Sequence, residues 1–219
     1  MPKKAAVIHT SFVSVEDLKA LFREIVPEAA MINIVDDSLL AEVLAAGQLT
    51  EAVTRRLCAY ALQAEAMGVD LILNQCSSVG EAVDVARRML RVPYVKIDEP
   101  MADEAVRLGS TISVVATVPT TLDPSCRLVE RAAERAGRRV TVRRALVDGA
   151  FEALTRERDR DKHNRLVLAA VEKAAAESDV VVLAQGSMIV LLPMLGHIRK
   201  PVLSSPRSGV ENVRKLLGL

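Results

Sequence analysis

Residues 71–78 read Leu-Ile-Leu-Asn-Gln-Cys-Ser-Ser, an apolar run that ends in polar side chains and a cysteine. A similar run, Val-Val-Leu-Ala-Gln-Gly-Ser, occupies residues 181–187. Short apolar runs that alternate with longer helical patterns predict parallel strands covered by helices on both faces. These two segments therefore favour an α/β fold with two pseudo-symmetric lobes, each a parallel sheet flanked by helices.

The same alternation extends over the whole sequence. The pattern predicts strands at 4–9, 30–35, 70–74, 93–97, 111–116, 140–143, 179–183 and 201–203. It predicts helices at 15–25, 50–67, 78–90, 103–108, 125–136, 163–176 and 209–217. We expect a first lobe formed by residues 1–98 plus 205–219 and a second lobe formed by residues 99–204. No Pro/Gly/Ser-rich linker separates them, so the lobes should be closely coupled.

The composition excludes several classes of protein. The chain has 219 residues and a net charge of +1, with 2% aromatic residues. A near-neutral chain with so few rings is a poor nucleic-acid binder, so we expect no nucleic-acid partner. No apolar run is long enough for a signal peptide or a membrane span, which predicts a cytoplasmic protein without a membrane partner. Its three cysteines lack zinc-type spacing, so we expect no structural disulfide and no metal.

Polar residues gather where the predicted strands end. In parallel sheets, ligands bind beyond the carboxyl ends of the strands. Small hydroxyls, amides and free N–H groups at helix starts suit a small carboxylate. The candidate substrate-binding residues are Ser11, Asn74, Gln75, Ser77, Ser78, Thr117, Thr120, Thr121, Gln185, Gly186 and Ser187.

Cys76 is the candidate catalytic residue. It follows a buried strand, and the next helix start should favour its thiolate and lower its pKa. Such a thiolate can act as a base beside a carboxylate or as a nucleophile. The alternative is that Cys76 is unreactive and only fills space in the core (inert filler), which is the role that we expect for Cys58 and Cys126 on helices. His9 is a possible accessory residue, although a structural role is equally compatible with its position.

Three segments together resemble a known group of enzymes. They are residues 74–78 (Asn-Gln-Cys-Ser-Ser), 116–121 (Ala-Thr-Val-Pro-Thr-Thr) and 183–188 (Leu-Ala-Gln-Gly-Ser-Met). In this order, and after these strands, they resemble signatures of the aspartate/glutamate racemase superfamily. That superfamily includes amino-acid and hydantoin racemases, maleate isomerases and arylmalonate decarboxylases.

The resemblance implies an active site in the cleft between two α/β lobes, with no cofactor. It implies two cysteines on opposite faces of the substrate, one removing the α-proton and the other delivering a proton. Cys76 matches the cysteine of the first lobe. Thr117, Thr120 and Thr121 match threonines that bind the substrate carboxylate, and Ser11 lies where the first loop contacts substrate. The resemblance also implies a homo-oligomer, most simply a dimer.

The second cysteine of the superfamily is missing. The flanking residues place Gln185 at the position of this second cysteine. The similarity between residues 71–77 and 181–187 places Gly186 there instead. We expect an isomerase or racemase that acts on an amino acid or related small carboxylate by proton transfer from the α-carbon to Cys76. Two alternatives stay open: a single-cysteine decarboxylase or lyase of the arylmalonate decarboxylase type, and a non-catalytic carboxylate binder.

Overall fold

The computed structural model describes residues 2–219. Its first half alternates strands and helices as the sequence predicts. The elements in chain order are β1 (Lys4–His9), α1 (Val15–Ile25), β2 (Ala30–Val35), α2 (Ser38–Ala46), α3 (Glu51–Ala66), β3 (Leu71–Asn74), a 3-10 turn (Ser77–Val79), α4 (Gly80–Ala86), a 3-10 turn (Arg87–Met89) and β4 (Tyr94–Lys96).

The second half repeats the alternation and ends in a long helix. Its elements are α5 (Glu99–Leu108), β5 (Thr111–Ala116), α6 (Pro119–Arg135), β6 (Thr141–Leu146), α7 (Ala150–Thr155), α8 (Arg160–Glu177), β7 (Val180–Leu183), a 3-10 helix (Gly186–Leu195), β8 (Val202–Ser204) and α9 (Ser205–Leu217).

The strands form two four-stranded sheets. One has the order β2-β1-β3-β4 and the other β6-β5-β7-β8, and every neighbouring pair is parallel. The predicted α/β class with two parallel sheets flanked by helices is therefore confirmed. Compact packing groups residues up to Asp98 with Pro206–Leu219, and Glu99–Ser205 as a second unit.

Each sheet is buried on both faces because successive side chains point to opposite sides. In the first unit, Ala6, Ile8 and Ile72 pack on the side of α3 and α4. The alternate residues, represented by Val7 and Leu73, pack on the side of α1 and α9. All four residues of β7 are fully buried in the second unit, which explains their continuous apolar character.

Several helix starts differ from the prediction. Helix α6 begins at Pro119 rather than near residue 125, so Cys126 lies well inside it and not in its first turn. The sequence signal that misled was Pro124, because proline is typical of a first helical turn. Pro119 takes that role, and Pro124 lies within the helix. Helices α5, α8 and α9 also begin earlier than predicted. Their first residues are Glu99, Arg160 and Ser205 instead of residues 103, 163 and 209.

Three elements were not predicted at all: α2, α7 and the 3-10 helix Gly186–Leu195. The 3-10 helix is apolar all round and contains Pro193, so it shows no helical periodicity. Helix α7 has only six residues, which is too short for a periodic signal. Within residues 2–219, no helix combines the length and the apolar character needed to cross a membrane.

Gly209 provides a test of the first unit's packing. A Cβ added to Gly209 on α9 would lie 2.5 Å from the carbonyl oxygen of Ile97, which is closer than real atoms approach. We expect Gly209→Ala to lower the free energy of unfolding by about 1–3 kcal/mol, as overpacking does elsewhere. Chemical denaturation measures this change.

Gly80→Ala is the matched control, because its added Cβ would meet only the flexible Lys96 side chain at 3.6 Å. Alanine also has the higher helix propensity, so this variant should keep or gain stability. Equal losses in both variants would contradict the close approach of α9 to Ile97.

Candidate active site

Cys76 lies two residues beyond the carboxyl end of β3. Its backbone is extended, with φ −119° and ψ 117°, and it precedes the 3-10 turn Ser77–Val79. The Asn74 side chain holds this position, because its Nδ2 donates a 2.8 Å hydrogen bond to the Cys76 carbonyl oxygen. The thiol-bearing residue is partly exposed, unlike the other two cysteines, which are buried. Cys76 is therefore the cysteine that a ligand could reach most readily.

Burial raises the pKa of the Cys76 thiol above its usual range. The nearby donors, namely the Thr10 hydroxyl, the backbone N–H groups of Ser78 and Val79, and the Ser78 hydroxyl, act against this shift and lower the pKa. The expected net lowering of the thiol pKa is therefore wrong. Desolvation disfavours the thiolate more strongly than the donors at this turn favour it.

Thr10 was not among the candidates from the sequence. It is the first residue after β1, and its buried Oγ1 forms no hydrogen bond of normal geometry within residues 2–219. The register of β1 with β3 pairs Ile8 with Asn74, so continuing it by two residues brings Thr10 beside Cys76. Its position directly after the predicted strand 4–9 is a signal in the sequence, but only the order of the strands shows that it meets Cys76.

A buried carboxylate supports the loop that carries the thiol. Ser77 Oγ donates a 2.6 Å hydrogen bond to Asp98 Oδ2, and Asp98 is only 3% exposed. Nearby on β4, the buried Lys96 ammonium forms an ion pair with Asp84 at 2.8 Å. Asp98 was also missed from the sequence, where it marked only a lobe boundary.

His9 is fully buried, and its ring makes a hydrogen bond away from the thiol loop. Its Nε2 lies 2.9 Å from Asn33 Oδ1 on the neighbouring strand β2. With Nε2 donating, the neutral ring carries its lone pair on Nδ1, which is buried and has no partner in residues 2–219. Burial lowers the pKa of His9, which favours this neutral form. Ser11 follows in the loop after Thr10 and is partly exposed.

The second unit has an equivalent loop, but it carries an amide in place of a thiol. Gln185 Nε2 donates to Thr117 Oγ1 at 2.8 Å, and the Thr117 backbone N–H donates to Gln185 Oε1 at 2.9 Å. These two hydrogen bonds fix the Gln185 side chain against Thr117, the first residue after β5. One N–H of its amide stays available for another acceptor.

The strand register identifies the position that corresponds to Cys76. In the first unit Gln75 N–H donates to the Ile8 carbonyl, and in the second Ala184 N–H donates to the Val115 carbonyl. Each of these donors lies one residue beyond its strand, and the next residue precedes a 3-10 segment. Gln185 therefore corresponds to Cys76.

The alternative alignment with Gly186 is wrong. The sequence similarity between residues 71–77 and 181–187 aligned Gln75 with Gln185 by residue type, which shifts the alignment by one position. The backbone of Gln185, with φ −119° and ψ 130°, is also nearly that of Cys76. By the same register, Gly186 and Ser187 correspond to Ser77 and Ser78.

A buried hydroxyl without a partner lies at the start of α6. Thr120 Oγ1 is buried and has no hydrogen-bond partner within residues 2–219. Ser125 Oγ is also buried and without a partner within these residues, but it lies almost two turns inside the helix. Since buried polar atoms are normally satisfied, the Thr120 hydroxyl at this helix start suits an anionic ligand. Thr121 is buried next to Thr120.

The remaining cysteines are poor candidates for chemistry. Cys126 is completely buried in the core of the second unit, and burial raises its pKa to about 11. Cys58 lies on α3 and packs in the core of the first unit, where burial also raises its pKa. Among residues 2–219, no three His, Cys, Asp or Glu side chains are grouped as a metal site.

Comparison with known proteins agrees with this layout. The profile of the Asp/Glu/Hydantoin racemase family matches residues 8–213. The chain therefore belongs to this family, which supports a racemase-type function on a small carboxylate. A sequence search of curated proteins gave no significant match.

Solved structures show the same fold. An allantoin racemase from Klebsiella pneumoniae matches 99% of this chain and 88% of its own, with TM-score 0.67 and 17% identity. A glutamate racemase isoform from Bacillus anthracis has TM-score 0.75 and 15% identity, over 99% of this chain and 82% of its own. An arylmalonate decarboxylase has TM-score 0.60 and 16% identity, over 100% and 94%.

Thiol alkylation tests the assignment of Cys76. We expect iodoacetamide to modify Cys76 faster than Cys58 and Cys126, because Cys76 alone of the three is partly exposed. A raised pKa means that the thiolate fraction, and with it the rate, should keep rising above pH 9. Peptide mass spectrometry over a pH series measures both. Equal labelling of all three cysteines would favour the inert-filler interpretation.

Proposed function

We propose that the protein is a cofactor-independent isomerase or racemase of a small carboxylate, such as an amino acid or a related acid. In this proposal Cys76 moves the proton at the α-carbon. The supporting observation is the partly exposed cysteine just beyond the carboxyl end of β3, with hydroxyl and N–H donors near its sulfur, in a chain of this racemase family.

Cys76 removes the proton as a thiolate. The donors from Thr10, Ser78 and Val79 stabilise the sulfur anion, whereas burial holds the resting group as a thiol at neutral pH. Abstraction therefore becomes more favourable as the pH rises and the thiolate fraction increases. The buried Asp98, through Ser77, holds the loop that presents the sulfur.

The substrate carboxylate binds to hydroxyls and amides. Thr120 offers a buried hydroxyl without a partner, and Gln185 offers an amide N–H that its contacts with Thr117 leave available. Thr117 itself orients Gln185. Neutral donors of this kind bind a carboxylate and stabilise the charge that develops on it when the α-proton leaves.

The return of the proton to the opposite face differs from a two-thiol mechanism. Gln185 corresponds to Cys76 by register, and an amide neither gives nor takes a proton at neutral pH. Water or another polar group completes the transfer in this proposal. Inversion should therefore be slower than proton removal by Cys76.

A lyase is the second candidate, and one observation favours it. A single strand-end thiol that burial keeps protonated is suited to deliver one proton to a carbanion. Decarboxylation of a malonate-type acid forms such a carbanion and needs no second thiol. The likeness to an arylmalonate decarboxylase is compatible with this reaction, although at 16% identity it shows the fold alone.

Turnover of single enantiomers distinguishes these functions. A panel of enantiopure amino acids and 2-substituted carboxylic acids, followed by chiral chromatography, should reveal the opposite enantiomer of at least one compound. Cys76→Ala should reduce this rate by at least about 100-fold, the usual contribution of a general acid or base. Gln185→Ala should only weaken turnover, because Gln185 binds substrate and transfers no proton.

Cys126→Ala is the matched control, since it removes a thiol that is buried away from the strand ends. It should retain turnover. Release of carbon dioxide without inversion would replace the isomerase by the lyase, and binding without either product would show a carboxylate binder. An undiminished rate in Cys76→Ala would contradict the proposed chemistry.

A further inference from the structure

A small cleft lies in the first unit between α1 and the edge strand β2. Its volume is about 270 Å³. Its lining combines apolar walls with two cations and one amide: Lys19, Phe22, Arg23, Val26, Pro27, Ala29, Met31 and Asn33. None of these residues is among the thiol-loop or strand-end donors assigned above.

Two sequence patterns, the helical spacing along α1 and the alternation of side chains along β2, place these residues on the walls of the cleft. Residues 19, 22, 23 and 26 follow the spacing of one face of an α-helix, so they form a single stripe on and just beyond α1. Met31 and Asn33 alternate along β2 and so share one face of the sheet. Within residues 2–219, β2 is the last strand of its sheet, so the cleft lies at an edge where no further strand pairs.

The charges around the cleft leave one cation without a carboxylate. Lys19 Nζ forms an ion pair with Glu16 at 2.7 Å. Arg23 forms no ion pair or hydrogen bond within residues 2–219, and the carboxylate that feels its charge, Glu16, is already held by Lys19.

The other nearby carboxylates are also occupied. Glu24 pairs with Arg207 at 2.8 Å, and Glu28 pairs with Arg214 at 2.8 Å. Both partners lie on α9. The rim of the cleft therefore offers an unpaired guanidinium beside an ammonium, which is complementary to an anion.

The cleft is linked to the buried histidine. Asn33 lines the cleft and also makes the 2.9 Å hydrogen bond to His9 Nε2. Apart from this amide and the two cations, the lining consists of Phe22, Val26, Pro27, Ala29 and Met31. The cleft thus combines an apolar surface with a few polar groups.

We propose that this cleft is a second ligand site, which binds a small amphipathic carboxylate. The carboxylate lies against Arg23 and Lys19, and the short apolar body covers Phe22, Val26 and Met31. The volume sets the size of the ligand, because ligand pockets usually measure about 300–1,000 Å³ and this one is just smaller. A compact acid with a short apolar chain fits this volume, whereas a cofactor-sized molecule does not.

Hexanoate is a suitable probe, since it joins one carboxylate to a short aliphatic chain. Titration of the ¹⁵N-labelled full-length protein should shift backbone amides of residues 19–33 in a saturable manner. The dissociation constant should be in the range of about 0.1–10 mM, typical for so few atoms. Hexan-1-ol, without the charge, and acetate, without the apolar chain, should each bind more weakly.

Variants at Arg23 test the role of the unpaired cation. Arg23→Gln should weaken hexanoate binding by about tenfold, as expected for loss of a hydrogen bond to a charged group. Arg23→Lys should restore part of the affinity. Arg88→Gln is the matched control, because Arg88 is also an exposed arginine without a partner in residues 2–219 and lies outside the cleft. It should bind hexanoate like the unmodified protein.

The Cys76→Ala protein separates this site from the proposed reaction centre. Hexanoate should shift the amides of residues 19–33 equally in this variant, whether or not the protein is an isomerase. Shifts confined to the loops at residues 74–79 and 117–121 would show binding at the strand ends alone and would overturn the proposal. Unchanged affinity in Arg23→Gln, or equal binding of hexan-1-ol, would overturn it as well.

Discussion

The parallel register of the central strands is the constraint on which the candidate site depends. β1 pairs with β3 so that Ile8 lies opposite Asn74, and β5 pairs with β7 so that Val115 lies opposite Leu183. In each unit the chain continues two residues beyond these pairs before it turns into a 3-10 segment. The register therefore decides which side chains meet, and a shift of one residue would replace all of them.

The equivalent registers show that the loops after β3 and β7 have similar backbones but carry chemically different side chains. The first unit places a thiol beside Thr10, and the second places an amide beside Thr117. The amide is held by two hydrogen bonds, so its function is fixed as a donor and acceptor of hydrogen bonds. In the proposed function, proton transfer therefore falls to Cys76, whose pKa is raised by burial and lowered by nearby donors.

Much of the fold was predictable because strands and helices leave local patterns in the sequence. β1, β2 and β5 have the predicted bounds, since each is a β-branched or apolar run next to a turn. Helix α6 was misplaced because Pro124 is a start signal that the folded helix overrides. The candidate residues at the strand ends were found from their positions after predicted strands.

The rest of the site depends on which strands are neighbours, and a single sequence does not state that order. Thr10 and Asp98 were missed because only pairing and folding bring them to the thiol loop. The choice between Gln185 and Gly186 was also open, since matching by residue type aligned one glutamine with another. The raised pKa of Cys76 could not be predicted, because desolvation depends on all the groups that surround the sulfur.

The central claim is that one thiol, Cys76, transfers the α-proton while its counterpart in the second unit is an inert amide. The most direct test is to incubate a single enantiomer of a turned-over substrate in heavy water and to follow deuterium in each enantiomer. A one-thiol enzyme returns solvent deuterium to the face from which it took the proton, so deuterium should appear in the unreacted enantiomer faster than inversion occurs. If deuterium appeared only in the inverted product, two groups would be transferring protons from opposite faces and the account would be contradicted.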